Sequence, residues 1–145
     1  MNMAGYSGTP LIKKLGIKQN ANVALINAPA GYQKLLGLSN EVVVTPPSKA
    51  PFDFVQLFVK SKAELLNKFP QYSAKLNPSA MFWISWPKKS SGVVTDLTED
   101  VIRSIGLANG MVDVKVCAMD EIWSGLKFVF RLKDRPRAEP AAAKA

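Results

Sequence analysis

Short apolar runs separated by turn-forming residues dominate this chain, and they predict the strands of a buried sheet. The runs are 23–26, 42–44, 52–59 and 80–86. Each is almost continuously apolar, which is typical of strands that are covered on both faces. We expect Pro46 to end the second run, because proline cannot donate a hydrogen bond to a strand ladder. The pattern therefore predicts a central sheet with helices packed on both sides.

A long stretch after the third run has the spacing of an amphipathic helix. Ser61 and Glu64 stand three positions apart, as in a capping box, and apolar residues then follow at intervals of three and four up to position 76. We expect Pro70 to kink or divide this helix and the Asn77-Pro78 pair to end it.

A second apolar stripe at helical spacing covers 97–105, and Asp96 has the position of its N-cap. Asp96 and its neighbours also offer an alternative interpretation as a catalytic base or a metal ligand, although acids at a helix start are ordinary. Two shorter helices are predicted at 9–15 and 32–36, each ended by a glycine.

The last two apolar stretches, 111–118 and 126–132, alternate between apolar and other residues and predict strands. The link between them is too short for a crossover, so we expect an antiparallel hairpin whose turn is Trp123-Ser124-Gly125, with a positive φ at Gly125. Strands and helices alternate before this hairpin, which favours parallel units with right-handed crossovers. The predicted fold class is α/β, a Rossmann-like three-layer sandwich with a mostly parallel sheet and a C-terminal antiparallel hairpin.

Length and composition indicate one globular domain. The chain has 145 residues, of which 48% are hydrophobic and 21% charged, and this is enough to bury one core. We expect a single domain over 1–134. The segment 135–145 contains no large apolar residue, and we expect it to be a disordered tail.

The formal net charge of +8 favours anionic partners, such as nucleotides, phosphorylated metabolites or an acidic protein. Nucleic acid is not the favoured partner, because the basic residues are scattered singly and do not alternate with aromatic residues. No apolar run approaches the roughly 20 residues of a membrane span, and no Cys and His cluster suits a metal. Since Cys117 has no second cysteine with which to form an internal disulfide, we expect a cytoplasmic protein.

Five separated blocks resemble an uncharacterised bacterial family described only as a domain of unknown function. The blocks lie between about positions 5 and 134 and are Gly5–Leu11, Asn27–Pro29, Trp86–Ser90, Thr95–Asp100 and Trp123–Leu126. This resemblance implies no activity, because the family has none established.

The layout of strands also resembles the core of class I methyltransferases that use S-adenosylmethionine. The turn after the first strand argues against carrying over their activity, because the segment 27–32 contains one glycine and a proline where a cofactor cradle needs several glycines. No acid lies between Glu41 and Asp53 to bind a ribose. The chain also contains no histidine, the commonest general base. We therefore favour a protein that is not an enzyme, and the sequence identifies no cofactor.

Loops that leave the carboxyl ends of parallel strands line one crevice in such a sheet. The candidate ligand-binding residues there are Asn27, Tyr32, Ser61, Trp86, Lys88, Lys89 and Ser90. Lysines, hydroxyl groups and a helix start at Ser61 would suit a phosphate or a carboxylate. The alternative is that Ser61 only caps its helix and the lysines are solvated. We expect Trp83 to lie in the core on the sheet face opposite to Trp86.

The sequence thus favours a non-catalytic domain that binds a small anion or nucleotide-like ligand, or another protein. One alternative is a divergent methyltransferase-like, nucleotide-dependent enzyme, and a second is an electrostatic nucleic-acid binder. Cys117 lies in the middle of a predicted strand, where a cysteine behaves as a small hydrophobe and not as a nucleophile.

Overall fold

The computed structural model of the protein describes residues 11–18, 21–32, 36, 43–44 and 51–131. Within these ranges the strands are β1 (Asn22–Ile26), β2 (Val43–Val44), β3 (Phe52–Phe58), β4 (Leu76–Pro87), β5 (Met111–Ala118) and β6 (Trp123–Phe130). The helices are α1 (Leu11–Leu15), α2 (Lys62–Ser73) and α3 (Glu99–Ala108), and a 3₁₀ turn covers Lys89–Ser91. None of these helices is long and apolar enough to cross a membrane.

The described strands form one mixed sheet in the order β2-β1-β3-β4-β6-β5. The first four strands pair in parallel, whereas β6 pairs antiparallel with both β4 and β5. This arrangement confirms the predicted Rossmann-like α/β class, with its parallel amino-terminal part and its antiparallel C-terminal hairpin.

Two hydrophobic cores lie on opposite faces of the sheet, because successive side chains of a strand point to opposite sides. On the α2–α3 face, Phe69 and Phe82 pack with their ring centroids 4.8 Å apart. On the other face, which we call the α1 face, Trp83 is fully buried, and its indole N–H donates a 2.9 Å hydrogen bond to the carbonyl of Leu15 in α1. Trp86 belongs to the α2–α3 core, so the prediction that the two tryptophans face opposite sides is confirmed.

The prediction that Asn77-Pro78 ends the helix was wrong. The helix α2 ends at Ser73 after continuing through Pro70, and Asn77-Pro78 lies inside β4. The ladder between β3 and β4 is interrupted there, since Phe52 pairs with Leu76 and Phe54 pairs with Met81. A bulge of this kind leaves residues outside the regular ladder, so the missing N–H of Pro78 breaks no required bond.

The predicted hairpin turn was also wrong. Trp123, Ser124 and Gly125 lie in β6, and the hairpin link is 119–122. The Asp120 carboxylate holds this link by accepting from the backbone N–H groups of Ile122 at 2.8 Å and Trp123 at 2.7 Å. Gly125 does not have a positive φ. Its role is steric, because a Cβ there would collide with the side chain of Met119.

Several predictions lie wholly or partly outside the described residues. They concern the start of the first helix at 9–10, most of the helix 32–36, the strand end at 45–47 and the tail 135–145. The single domain over 1–134 stays a prediction.

Candidate functional site

The strand order reverses between β1 and β3, and this reversal defines the candidate site. The strand β2 follows β1 along the chain and pairs with it on the side away from β3. The strand β4 follows β3 and pairs with it on the side away from β1. In open α/β sheets, ligands bind in the crevice outside the carboxyl ends of the strands at such a reversal. We call the region around Asn27 and 58–61, where β1 and β3 end, the strand-end crevice.

Asn27 leaves β1 in the left-handed conformation, with a φ of 60°, and its side chain crosses the crevice. Its amide nitrogen donates to Oε2 of Glu64 at 3.3 Å and lies 3.5 Å from the carbonyl oxygen of Phe58. Gly31, at the end of the same turn, has a φ of 80°, and a Cβ there would meet no atom within 4 Å. The turn therefore leaves open space at Gly31, and Asn27 at its start is exposed.

The start of α2 already has protein acceptors for its backbone N–H groups. Ser61 Oγ accepts from the N–H of Glu64 at 3.1 Å, so the predicted cap at Ser61 is confirmed. In a capping box the Glu64 carboxylate would accept from the N–H of the cap residue, Ser61. Here it accepts instead from the N–H of the preceding residue, Lys60, at 3.1 Å. Asp96 accepts from the N–H of Lys62 at 2.7 Å. Two carboxylates therefore lie where the sequence predicts an external anion.

Asp96 was wrongly predicted as the N-cap of α3. The cap is Thr98, whose hydroxyl oxygen accepts from the N–H of Val101 at 3.2 Å. Asp96 caps α2 instead, and the neighbouring Thr95 donates from its hydroxyl to the carbonyl of Lys60 at 2.6 Å. The segment before α3 is thus bonded to the β3–α2 loop.

Tyr32 and Trp86, two of the predicted site residues, are buried in different cores. The Tyr32 hydroxyl donates to Oε1 of Gln56 at 2.7 Å, and its ring meets Phe58 edge-on with centroids 4.9 Å apart. Trp86 packs in the α2–α3 core. Of the seven predicted residues, Asn27 and Ser61 are linked most directly, since both bond to Glu64.

Lys88, Lys89 and Ser90 lie at the carboxyl end of β4, next to the hairpin link. The N–H of Lys88 donates to the carbonyl of Ile122 at 2.7 Å, and both Lys89 and Ser90 are exposed. Among the described residues, no hydrogen bond or ion pair joins these three to Asn27 or Ser61. That all seven residues contact one ligand stays a prediction.

Sequence reasoning missed two polar groups near this site. Glu64 was interpreted only as a capping residue, and its contact with Asn27 joins positions 37 residues apart, which spacing alone does not reveal. Gln56 is fully buried in β3, where its Nε2 donates to Oγ of Ser85 at 2.9 Å. The signal that points to this buried contact is a polar Gln56 in the middle of the apolar run 52–59.

No protein-family model matches the chain, and no curated protein sequence matches it significantly. Solved structures do. A methyltransferase of Aquifex aeolicus that depends on S-adenosylmethionine is 15% identical, with a TM-score of 0.58, over 81% of this chain and 86% of that chain. The magnesium protoporphyrin IX methyltransferase of Synechocystis PCC 6803, with bound S-adenosylhomocysteine, is 13% identical, with a TM-score of 0.57, over 83% and 80%. The chain has a methyltransferase-like fold. At these identities the likeness concerns the fold alone, and the resemblance to the uncharacterised bacterial family gains no support.

The described residues of the strand-end crevice lack the donors that a glycine-rich cofactor cradle supplies. Pro29 lacks an N–H in the turn after β1, and Gly31 is the one glycine of that turn. The crevice acids Glu64 and Asp96 already accept from backbone N–H groups. The structure therefore supports no chemical step through a bound methyl donor.

Cys117 is expected to react slowly with thiol reagents in the folded protein. Burial raises the pKa of its thiol, and the opposing effects of Lys14 and Lys115 are smaller. Since the thiolate is the reactive form, iodoacetamide at pH 8 should alkylate the native chain at least about tenfold more slowly than the chain in concentrated urea. Mass spectrometry of timed samples measures both rates, and equal rates would contradict this expectation.

Proposed function

We propose that this chain is a divergent methyltransferase-like domain that binds a nucleotide-like ligand at the strand-end crevice. The observation that supports the proposal is the reversal of strand order between β1 and β3, because this is where open α/β sheets hold their ligands. The likeness to two methyltransferase structures makes S-adenosylmethionine and S-adenosylhomocysteine the first ligands to test.

The turn after β1 and the start of α2 offer polar groups and space to such a ligand. The exposed Asn27 amide supplies a donor and an acceptor, and the open space at Gly31 admits a ligand close to the backbone. The Glu64 side chain keeps 31% of its surface exposed. In our proposal, its carboxylate accepts from the ligand's hydroxyl groups, taking the role of the acid that the sequence lacks after β2.

Filling the crevice tests the proposal. Ala30 is exposed in the turn after β1, so Ala30→Trp should fold normally while its indole occupies the ligand's space. We expect S-adenosylhomocysteine to raise the melting temperature of the unmodified protein. Its affinity, measured by titration calorimetry, should fall at least about tenfold in the variant, because the excluded ligand loses its contacts.

Ala74→Trp is the matched control, since Ala74 is also exposed but lies at the far end of α2. This variant should bind as the unmodified protein does. If S-adenosylmethionine, S-adenosylhomocysteine and ATP all leave the melting temperature unchanged, or if the two variants bind alike, the proposal is wrong.

A non-catalytic binding domain is the second candidate, and a specific observation favours it. Glu64 and Asp96 hold the N–H groups of Lys60 and Lys62, which a catalytic loop would need free for its ligand. Under this candidate, S-adenosylhomocysteine binds, yet S-adenosylmethionine is not consumed when the protein is incubated with methyl acceptors. Consumption that is lost in Ala30→Trp and kept in Ala74→Trp would favour an enzyme instead.

A further inference from the structure

Three lysines lie on the α1 face, and one of them is far along the chain from the other two. Lys115 and Lys127 are direct cross-strand partners in the β5–β6 hairpin, and Lys127 is also the partner of Trp83 in β4. Cross-strand partners share one face of a sheet, so both lysines lie on the same side as Trp83. Lys18 follows α1 on that face. We call Lys18, Lys115 and Lys127 the lysine cluster.

The ammonium groups of the hairpin lysines reach the end of α1. Lys115 Nζ donates to the carbonyl of Lys14 at 2.9 Å. Lys127 Nζ would lie 3.9 Å from a Cβ built on Gly16, two residues before Lys18. The described structure therefore brings positive charges from β5, β6 and the segment after α1 to one region.

Within the described ranges, no carboxylate forms an ion pair with any member of the lysine cluster. Like charges directly opposite each other on neighbouring strands destabilise a sheet. Partial burial of Lys127 lowers the pKa of its ammonium group, and repulsion by Lys115 and Lys18 lowers it further. The fold thus keeps a repulsive arrangement that a negative ligand would relieve.

A pocket of about 190 Å³ lies beside the lysine cluster. Its lining residues include Gly16, Lys18, Phe54 and Met81. A pocket of this size admits a small anion with one or two phosphate groups.

The carboxylate of Asp53 also lines the pocket, but it is engaged within the protein. Its Oδ2 accepts from the backbone N–H of Asn22 at 2.8 Å, and its Oδ1 accepts from the side-chain amide of Asn77 at 2.6 Å. Both carboxylate oxygens therefore already accept hydrogen bonds from the protein. The lysine cluster approaches the pocket from the Gly16 side.

We propose that this pocket and the lysine cluster form a second binding site for a small phosphate-bearing anion of about the size of diphosphate. Lys127 and Lys18 bind the phosphate oxygens, and Lys115 adds charge from the neighbouring strand. The site lies near the amino ends of β1, β3 and β4, as its lining residues Ala21, Asp53 and Ser79 indicate. It is therefore separate from the strand-end crevice, which lies at the carboxyl ends of β1 and β3.

The test is a titration with inorganic diphosphate, followed by thermal unfolding and calorimetry. At a concentration about 100 times the dissociation constant, diphosphate should raise the melting temperature of the unmodified protein by about 5 °C or more. Lys127→Met should reduce the affinity at least about tenfold, because it removes one charge-assisted contact. Without diphosphate this variant should melt at a higher temperature than the unmodified protein, since the repulsion is relieved.

Lys62→Met is the matched control, because it removes the same charge from an exposed position on α2 and should leave diphosphate affinity unchanged. Lys127→Arg keeps the charge and should retain binding, which separates loss of charge from misfolding. Ala30→Trp should bind diphosphate normally, so failure of the crevice proposal does not imply failure of this one.

Three results would overturn the proposal. The first is no stabilisation by diphosphate, and the second is an equal loss of affinity in Lys62→Met and Lys127→Met. The third is a short single-stranded DNA that binds more tightly than diphosphate, with a dependence on Lys127 and a steep loss as salt rises. That outcome would assign the lysine cluster to nucleic acid.

Discussion

Replacing Gly106 with alanine is expected to destabilise the protein by about 2 kcal/mol, and Gly106→Val by about 3 kcal/mol, because extra atoms in a packed core force side chains and backbone to move. A Cβ at Gly106 would lie 2.6 and 2.7 Å from two ring carbons of Phe128. That ring is fully buried and packs edge-on against Phe69 with centroids 5.4 Å apart. The ring of Phe128 therefore cannot move away without disturbing the packing around it. The free energy of unfolding in urea measures the loss.

The expected change in stability has the opposite sign to that of the same substitution in an exposed helix. In an exposed helix interior, alanine is more stable than glycine by about 1 kcal/mol, so α3 taken alone predicts a gain. Ser104→Ala, at an exposed position of the same helix, should change stability by no more than about 0.5 kcal/mol. A stabilising Gly106→Ala would mean that Phe128 does not pack against the backbone of α3 in solution.

Replacing Gln56 with leucine is the second large effect, with an expected loss of about 2–3 kcal/mol, since buried polar groups that lose their partners keep their desolvation penalty. Gln56 is fully buried on the α1 face, where it accepts from the Tyr32 hydroxyl at 2.7 Å and donates to Ser85 at 2.9 Å. Leucine has a similar size but provides neither bond. Unfolding in urea at constant m-value reports the change.

A double-mutant cycle separates the hydrogen bond from packing. Tyr32→Phe removes only the hydroxyl, and once it is gone Gln56→Leu should cost about 1 kcal/mol less, because residues that share a hydrogen bond are coupled. Gln71→Leu, at an exposed position of α2, is the control for the change of residue type and should be close to neutral. Strict additivity between positions 32 and 56 would contradict the buried contact.

The methyltransferase-like fold and the strand-end crevice carry different amounts of functional information. The fold places the carboxyl ends of β1 and β3 together, which is a property of the backbone and survives large changes of sequence. The side chains in the crevice are particular to this chain. Asn27, Glu64 and Asp96 form hydrogen bonds within the protein there. Our proposal therefore requires that a ligand bind to these side chains in addition to their internal partners.

The sequence predicted structure best where a local pattern of residues is compatible with only one kind of element. The largely apolar runs at 23–26 and 52–59 form β1 and β3, because a strand that is buried on both faces consists mostly of apolar residues. The cap at Ser61 was equally direct, since a hydroxyl three residues before a helical N–H bonds to it locally. Both inferences depend on neighbours along the chain.

The remaining features depended on residues far apart in the chain. Asp96 has the spacing of a cap for α3, yet it caps α2 because the fold brings Lys62 within 2.7 Å. Gly125 was predicted as a turn residue, but it lies in β6, where a Cβ would collide with the side chain of Met119.

By itself, therefore, the sequence of this protein determined the approximate positions of the main strands and helices, the fold class and the strand ends at which we expect a ligand. Only the tertiary structure decided which carboxylate meets which N–H, where glycine is required, and that Lys18, Lys115 and Lys127 share one face. The physical reason is range: hydrogen-bonded turns and apolar periodicity act over a few residues, whereas packing and charge act between any groups that the fold brings close.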